Sequence, residues 1–320
     1  MGLVCVGGWA IVIRMPGSSY QGKLPPATDE VRALEQELQT HVHMLGRQIG
    51  ERNLFHYDKL LLAAEYIRTE FVSAGYYDVR RQQYEVSGKI CENIEAEIRG
   101  TDRPEDILVI GAHYDSVKGS PGANDNGTGV AAMLALARQF GRSPTSRTLR
   151  FVAFANEEPP FFQTQHMGSW VYARRSRQLN ENIFLMFSLE TIGFYTDASN
   201  SQHYPPPLSL VYPSTGNFIG FVSNLANKDW VQRAVGNFRR HTQFPSEGAA
   251  LFGWLPGVGW SDHWAFWEEG FPALMVTDTA LFRDPYYHTA RDTPDHIHYG
   301  HLARVVSGLQ QVISDLANKL

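Results

Sequence analysis

Apolar residues recur three and four positions apart at Val31, Leu34, Leu38, Val42, Leu45 and Ile49, which predicts a first amphipathic helix. Thr28 or Asp29 suits its cap, and Gly50 follows its end. A second helix is predicted over about 58–74, stopped near Gly75. Residues 79–86 and 91–99 alternate with the period of a strand and read as a pair of strands. From there the pattern becomes strand, loop, helix, repeated. Short apolar strands are predicted at 107–110, 149–154, 183–189 and 273–276, with helices near 128–140, 169–176 and 295–318. Alternation of this kind predicts an α/β fold, a mostly parallel sheet with helices on both faces.

Residues 3–13 are apolar apart from two glycines, and 15–26 are rich in Pro, Gly and Ser. Spanning a bilayer takes about 20 apolar residues, so the stretch is too short alone. It has the length of a signal-peptide core, yet no basic residue precedes it and no small-residue cleavage site follows. It reads as a tail or as the remnant of a membrane anchor. Nothing resembles a linker after residue 26, which gives an N-terminal segment, 1–26, and one domain, 27–320.

The chain of 320 residues is 43% hydrophobic and 19% charged, with 39 Phe, Tyr and Trp, so disorder, collagen-like sequence and coiled coil are excluded. A formal charge of -5 without a basic run argues against nucleic acid as a partner. Two cysteines, Cys5 and Cys91, supply neither a disulfide framework nor a thiolate zinc site.

Candidate chemistry sits where the strands end. Ligands in open α/β sheets bind beyond the carboxyl ends of the strands. The strand at 107–110 runs into GAHYDS, with His113 and Asp115; that at 149–154 into ANEEPP, with Glu157 and Glu158; that at 183–189 into LETIG, with Glu190. A core strand needs none of these, because an unpaired buried carboxylate costs several kcal/mol. Asp125 lies in the glycine-rich GSPGANDNGTG, and His288 in YYHTARDTPDHI before the last helix. Each alone reads as an ordinary core histidine, turn aspartate or strand-end acid. Together at one sheet edge they read as a carboxylate-rich metal hydrolase site, suited to zinc and to two ions sharing one carboxylate. Ser261-Asp262-His263 has the letters of a hydrolase triad, but consecutive residues cannot converge; it reads as a helix cap beside the site. Asn126-Gly127-Thr128 matches a glycosylation sequon but falls inside the site and is discounted.

The ordered set GAHYDS, ANDNGTG, NEEPP, LETIG, SDHWAF and YYHTARDTPD resembles the zinc aminopeptidases of metallopeptidase family twenty-eight over roughly residues 55–318. The resemblance implies a three-layer α/β/α sandwich with a mixed, mostly parallel sheet, a peptide substrate and two zinc ions. By its positions, His113 binds one zinc, Asp125 bridges both, and Glu158 and His288 complete the second site. Glu190 stands where many members carry an aspartate as remaining ligand of the first. Glu157 is the general base, Asp115 orients His113, and Tyr287 assists at the oxyanion. The family often has a non-proline cis bond after the bridging aspartate, here Asp125-Asn126. Rival readings are a one-zinc glutaminyl-peptide cyclotransferase, which usually has Trp where this chain has Tyr287, a carboxypeptidase-like relative, and a non-catalytic family member. The apolar N-terminus and family habit place the protein outside the cytoplasm or on a membrane.

Overall fold

The computed structural model describes residues 14–141 and 143–319, so the apolar N-terminal stretch, residues 3–13, lies outside the described residues. Helix α1 (Asp29–His43) starts at Thr28, whose hydroxyl accepts from the Val31 amide, and continues through a wider turn (Met44–Ile49) to Gly50. Gly50 ends it at φ 75°, a conformation a side chain disfavours. After α2 (Tyr57–Ser73), the hairpin β1 (Arg80–Val86) and β2 (Lys89–Ile98) pairs antiparallel. Then follow β3 (Arg103–His113), α3 (Gly129–Phe140), β4 (Arg147–Phe154), α4 (Gly168–Gln178) and β5 (Asn182–Glu190). The chain closes with β6 (Ile219–Asn224), α5 (Lys228–His241), β7 (Ser246–Leu251), α6 (His263–Glu268), β8 (Ala273–Thr277) and α7 (Tyr299–Asn318).

The eight strands form one sheet in the order β1-β2-β4-β3-β5-β8-β6-β7. Pairs β3/β4, β3/β5, β5/β8 and β6/β7 are parallel; β1/β2, β2/β4 and β6/β8 are antiparallel. This is the expected α/β/α sandwich with a mixed, mostly parallel sheet. Alternation along β3 sends Leu108, Ile110 and Ala112 into the core under α1, α2, α3, α5 and α7. Ile107 and Val109 go to the smaller core under α4 and α6. Central strands buried on both faces have to be apolar throughout, which is why they were readable.

The β6-α5-β7 unit was not predicted. Its strands, IGFVSN and SEGAAL, are short and rich in small residues, and no chemical motif marks them. The last helix begins at Tyr299 rather than 295, because residues 294–296 form a separate 3-10 turn.

Candidate metal centre

Strand pairing fixes the site. Because β3, β4 and β5 are parallel neighbours, their carboxyl ends bring His113, Glu157, Glu158 and Glu190 to one edge. Two excursions complete it. The loop after β3 folds back through Gly122, where φ is 62° and a Cβ would lie 2.5 Å from the Asp125 carbonyl oxygen. The segment after β8 delivers His288 in a left-handed conformation, φ 59°.

His113 Nε2 lies 3.3 Å from Asp125 Oδ1, 3.3 Å from Glu190 Oε2 and 3.8 Å from Glu157 Oε2. His288 Nε2 lies 3.0 Å from Asp125 Oδ2 and 3.4 Å from Glu158 Oε2. Two donor sets result, His113/Asp125/Glu190 and Asp125/Glu158/His288, each with its ligand atoms within 4.8 Å of one another. They share Asp125, which turns one oxygen to each.

The cluster is buried and unbalanced. Asp125, Glu157, Glu158 and Glu190 face only two imidazoles, and all but His288 are nearly inaccessible. Burial, foremost, pushes Glu157 and Glu158 well above the usual carboxylate range, and Glu190 above it. Burial also opposes ionisation of Asp125, but its contacts with His113 and His288 outweigh that and hold its carboxyl low. His113 Nε2, Asp125 Oδ1 and Glu158 Oε1 are buried without a hydrogen-bond partner. Orphaned donor atoms of this kind, aimed at shared points, fit a divalent cation at each set.

The supports are as specific as the ligands. Asp115 Oδ1 lies 3.4 Å from His113 Nδ1, and its two oxygens accept from the backbone amides of Glu157 (3.0 Å) and Glu158 (3.1 Å). One carboxylate therefore orients both the imidazole and the acidic pair. Asp292 grips the opposite loop, accepting from the amides of Asn124 (2.7 Å) and Asp125 (3.0 Å). The Asp125-Asn126 bond is cis. The Asn126 amide, fully buried, donates to the Leu189 carbonyl and accepts from Gly129 and Thr191, so the sequon is no glycan acceptor.

Arg52 is buried completely and donates to five backbone carbonyls, those of Leu45, Gly50, Tyr114, Pro121 and Gly122. It clamps the loop between His113 and Asp125. Sequence reasoning missed Arg52 and Asp292: nothing in ERN marks a buried arginine, and within YYHTARDTPD only Tyr287 and His288 were given roles. In SDHWAF the cap reading does not hold: Asp262 makes no cap hydrogen bond. Instead Ser261 Oγ donates to Glu190 Oε2 at 2.7 Å.

Tyr287 stacks on His288 with ring centroids 3.9 Å apart, and burial, foremost, raises its phenol well above the ordinary value. Beside Tyr287 and Glu190 opens a cleft walled by Leu208, Phe218, Val222, Leu251, Met275 and Phe282. Gly220 lines it too, where a Cβ would lie 3.2 Å from the Thr277 carbonyl oxygen.

The sequence profile of peptidase family M28 matches residues 93–313. Among curated proteins, the uncharacterized protein YfbL of Escherichia coli (strain K12) is 36% identical over 286 residues, 87% of either chain. Aminopeptidase YwaD of Bacillus subtilis (strain 168) is 27% identical over 60% of this chain and 37% of its own length. The chain thus spans just over a third of that relative. Among solved structures, BSAP, a zinc aminopeptidase from Bacillus subtilis, superposes with a TM-score of 0.72 at 16% identity, over 93% of this chain and 97% of that one. A glutaminyl cyclase from Tannerella forsythia shares the fold too, with a TM-score of 0.64 at 18% identity, over 88% and 98% of the two chains.

Proposed function

The chain belongs to peptidase family M28, and from that premise we propose that it is a zinc-dependent aminopeptidase acting on peptides with two zinc ions. The observation that carries the reading is Asp125, whose two oxygens face two separate donor sets, as a bridging carboxylate requires. Mixed imidazole and carboxylate donors suit zinc, and the aminopeptidase name of YwaD supports the reaction. His113, Asp125 and Glu190 would hold one ion; Asp125, Glu158 and His288 the other.

Zinc bound there would polarise the scissile carbonyl and lower the pKa of its water from about 15.7 toward neutrality. Glu157 is the one acid of the cluster outside both donor sets, and it borders the first through His113. Its carboxylate takes the proton of the attacking water and returns it to the leaving amine. The Tyr287 hydroxyl, kept protonated by burial, donates to the developing oxyanion. Asp115 keeps His113 and the Glu157-Glu158 pair in register during both transfers. The cleft beside Glu190 takes the apolar side chain of the N-terminal residue.

Metal analysis together with a panel of amino-acid nitroanilides, with and without chelator, tests the proposal. Two zinc ions per chain and chelator-sensitive cleavage of substrates with apolar side chains are expected. One zinc ion with cyclisation of an N-terminal glutaminyl peptide would replace the reading by a cyclotransferase. No metal uptake would leave a non-catalytic family member.

A further inference from the structure

Four strands contribute one residue each to a single row across the sheet. Glu190 of β5 pairs with Thr277 of β8, Thr277 with Gly220 of β6, and Gly220 with Glu247 of β7. Residues paired in this way send their side chains to the same face. All four line the cleft, so the row forms its floor. One end of the row belongs to the metal centre, and the other is a second carboxylate. Gly220, between them, has no side chain to stand in the way.

Glu247 is the member of the row that the metal centre does not use. Among the described residues, the cleft lining carries two charges, Glu190 and Glu247, and no basic side chain. The Ser19 hydroxyl meets the Glu247 carboxylate, while Arg239 Nη2 stands 3.6 Å off, beyond hydrogen-bond reach. That guanidinium already donates to the carbonyls of Pro16, Gly17 and Ser246. Burial, foremost, raises the Glu247 carboxyl above its ordinary value, as for a charge only partly compensated. Tyr204 and Tyr212, ring centroids 5.7 Å apart, line the cleft within the field of Glu247. Their hydroxyls donate to the Pro213 and Gly248 carbonyls, which fixes the rings in place. A carboxylate near aromatic rings is a setting for a cation.

We propose that Glu247 selects a long basic side chain, lysine or arginine, as the N-terminal residue of the substrate. The inference rests on the aminopeptidase reading and extends it from apolar side chains to apolar stems that end in a cation. The walls take the methylene stem, as apolar surface does for lysine and arginine elsewhere, and the far carboxylate takes the charge. Three strand spacings separate Glu190 from Glu247, about 14 Å between their Cα atoms. Side chains stand off a sheet, so a bound one lies over Thr277 and Gly220, between the two acid tips. A lysine stem with a hydrogen bond at each end covers about 12 Å of that span. Leucine stops short of Glu247 and leaves its charge unanswered.

Lysinamide and norleucinamide share a four-carbon stem and differ by the ammonium group, so together they isolate the charge. Calorimetry on the zinc-loaded full chain is expected to show lysinamide binding at least tenfold more tightly. The kcat/KM ratio of lysyl to norleucyl nitroanilide should follow it. Glu247→Gln brings both ratios to within about twofold of unity. Glu247→Asp, its carboxylate one methylene further back, moves the preference from lysine toward arginine. A residue that only guards the sheet edge would cause no such change. Equal binding of the two amides by the wild type overturns the proposal, and so does a lysinamide preference that survives Glu247→Gln. A wild type that prefers lysinamide yet cleaves neither nitroanilide supports the role of Glu247 and fails the aminopeptidase reading, so the two are judged separately.

Discussion

Ser261 Oγ donates to Glu190 Oε2 at 2.7 Å, both groups buried, and a second contact of 2.8 Å ties that hydroxyl to Ser188 on β5. The chain has glutamate where an aspartate is common in the family it resembles, and a longer side chain has one more torsion to fix. Ser261 fixes it. Ser261→Ala is expected to weaken metal binding at the His113 set by about ten- to a hundredfold, the usual cost of losing a supporting hydrogen bond at a metal site. The second set, which Ser261 does not touch, keeps its affinity. Zinc titration with a competing chelator would resolve the two; equal affinities in variant and wild type would remove the role.

Glu157 is held by its backbone amide to Asp115 and faces His113 Nε2, yet it belongs to neither donor set. Glu157→Gln keeps the shape and loses the ability to accept a proton. Turnover should fall by about 10²- to 10⁴-fold, with metal content unchanged. Parallel measurement of zinc per chain and of kcat checks both halves. Loss of metal along with activity would make Glu157 a ligand instead of a base.

The ligand positions were legible because each apolar strand changes abruptly into residues no core would choose, as at ILVIGAHYD and LMFSLE. Parallel pairing then brings those ends together without further instruction. Arg52 was not legible, since its five acceptors are carbonyls scattered over residues 45–122 and leave no mark in sequence. Asp292 lies inside the quoted YYHTARDTPD, but the groups it accepts from are the backbone amides of Asn124 and Asp125, which sequence does not reveal. The strands β6 and β7 escaped for a different reason. Gly220 and Gly248 leave space for the cleft and for Met15, and glycine weakens the strand pattern it sits in.

Arg52 has no carboxylate partner within hydrogen-bond reach; Asp292, Asp115 and Asp125 act on it from further away, and burial, foremost, lowers its guanidinium to about 10. Arg52→Met fills similar volume but strands three buried carbonyls, those of Leu45, Tyr114 and Gly122, and two half-buried ones, those of Gly50 and Pro121. Each lost bond to a charged donor is worth about 1.5–3 kcal/mol. Allowing for relaxation of the loop, a destabilisation on the order of 3 kcal/mol or more is expected in urea unfolding, with weaker zinc binding. Arg52→Lys has three donors for five acceptors and should recover only part of the loss. An Arg52→Met protein with wild-type stability would show that the carbonyls find other partners.

Asp278 lies fully buried behind the metal loop, with Oδ2 accepting from Asn124 Nδ2 (3.1 Å) and the Phe194 amide (2.7 Å), and with Oδ1 unpartnered. Burial, foremost, lifts its carboxyl from 3.8 to about 8. The fold therefore binds this proton more tightly than the unfolded chain does. The stability it contributes is complete below pH 3.8 and is lost as pH rises through about 8. Asp278→Asn keeps an acceptor for both donors and cannot ionise. Between those limits the wild type should lose stability relative to the variant by up to about 1.4 kcal/mol per pH unit. Urea unfolding of both proteins from pH 5 to 9 measures the difference directly. A difference that stays constant across that range would mean that Asp278 is already ionised at pH 5, with a cation or a water meeting Oδ1.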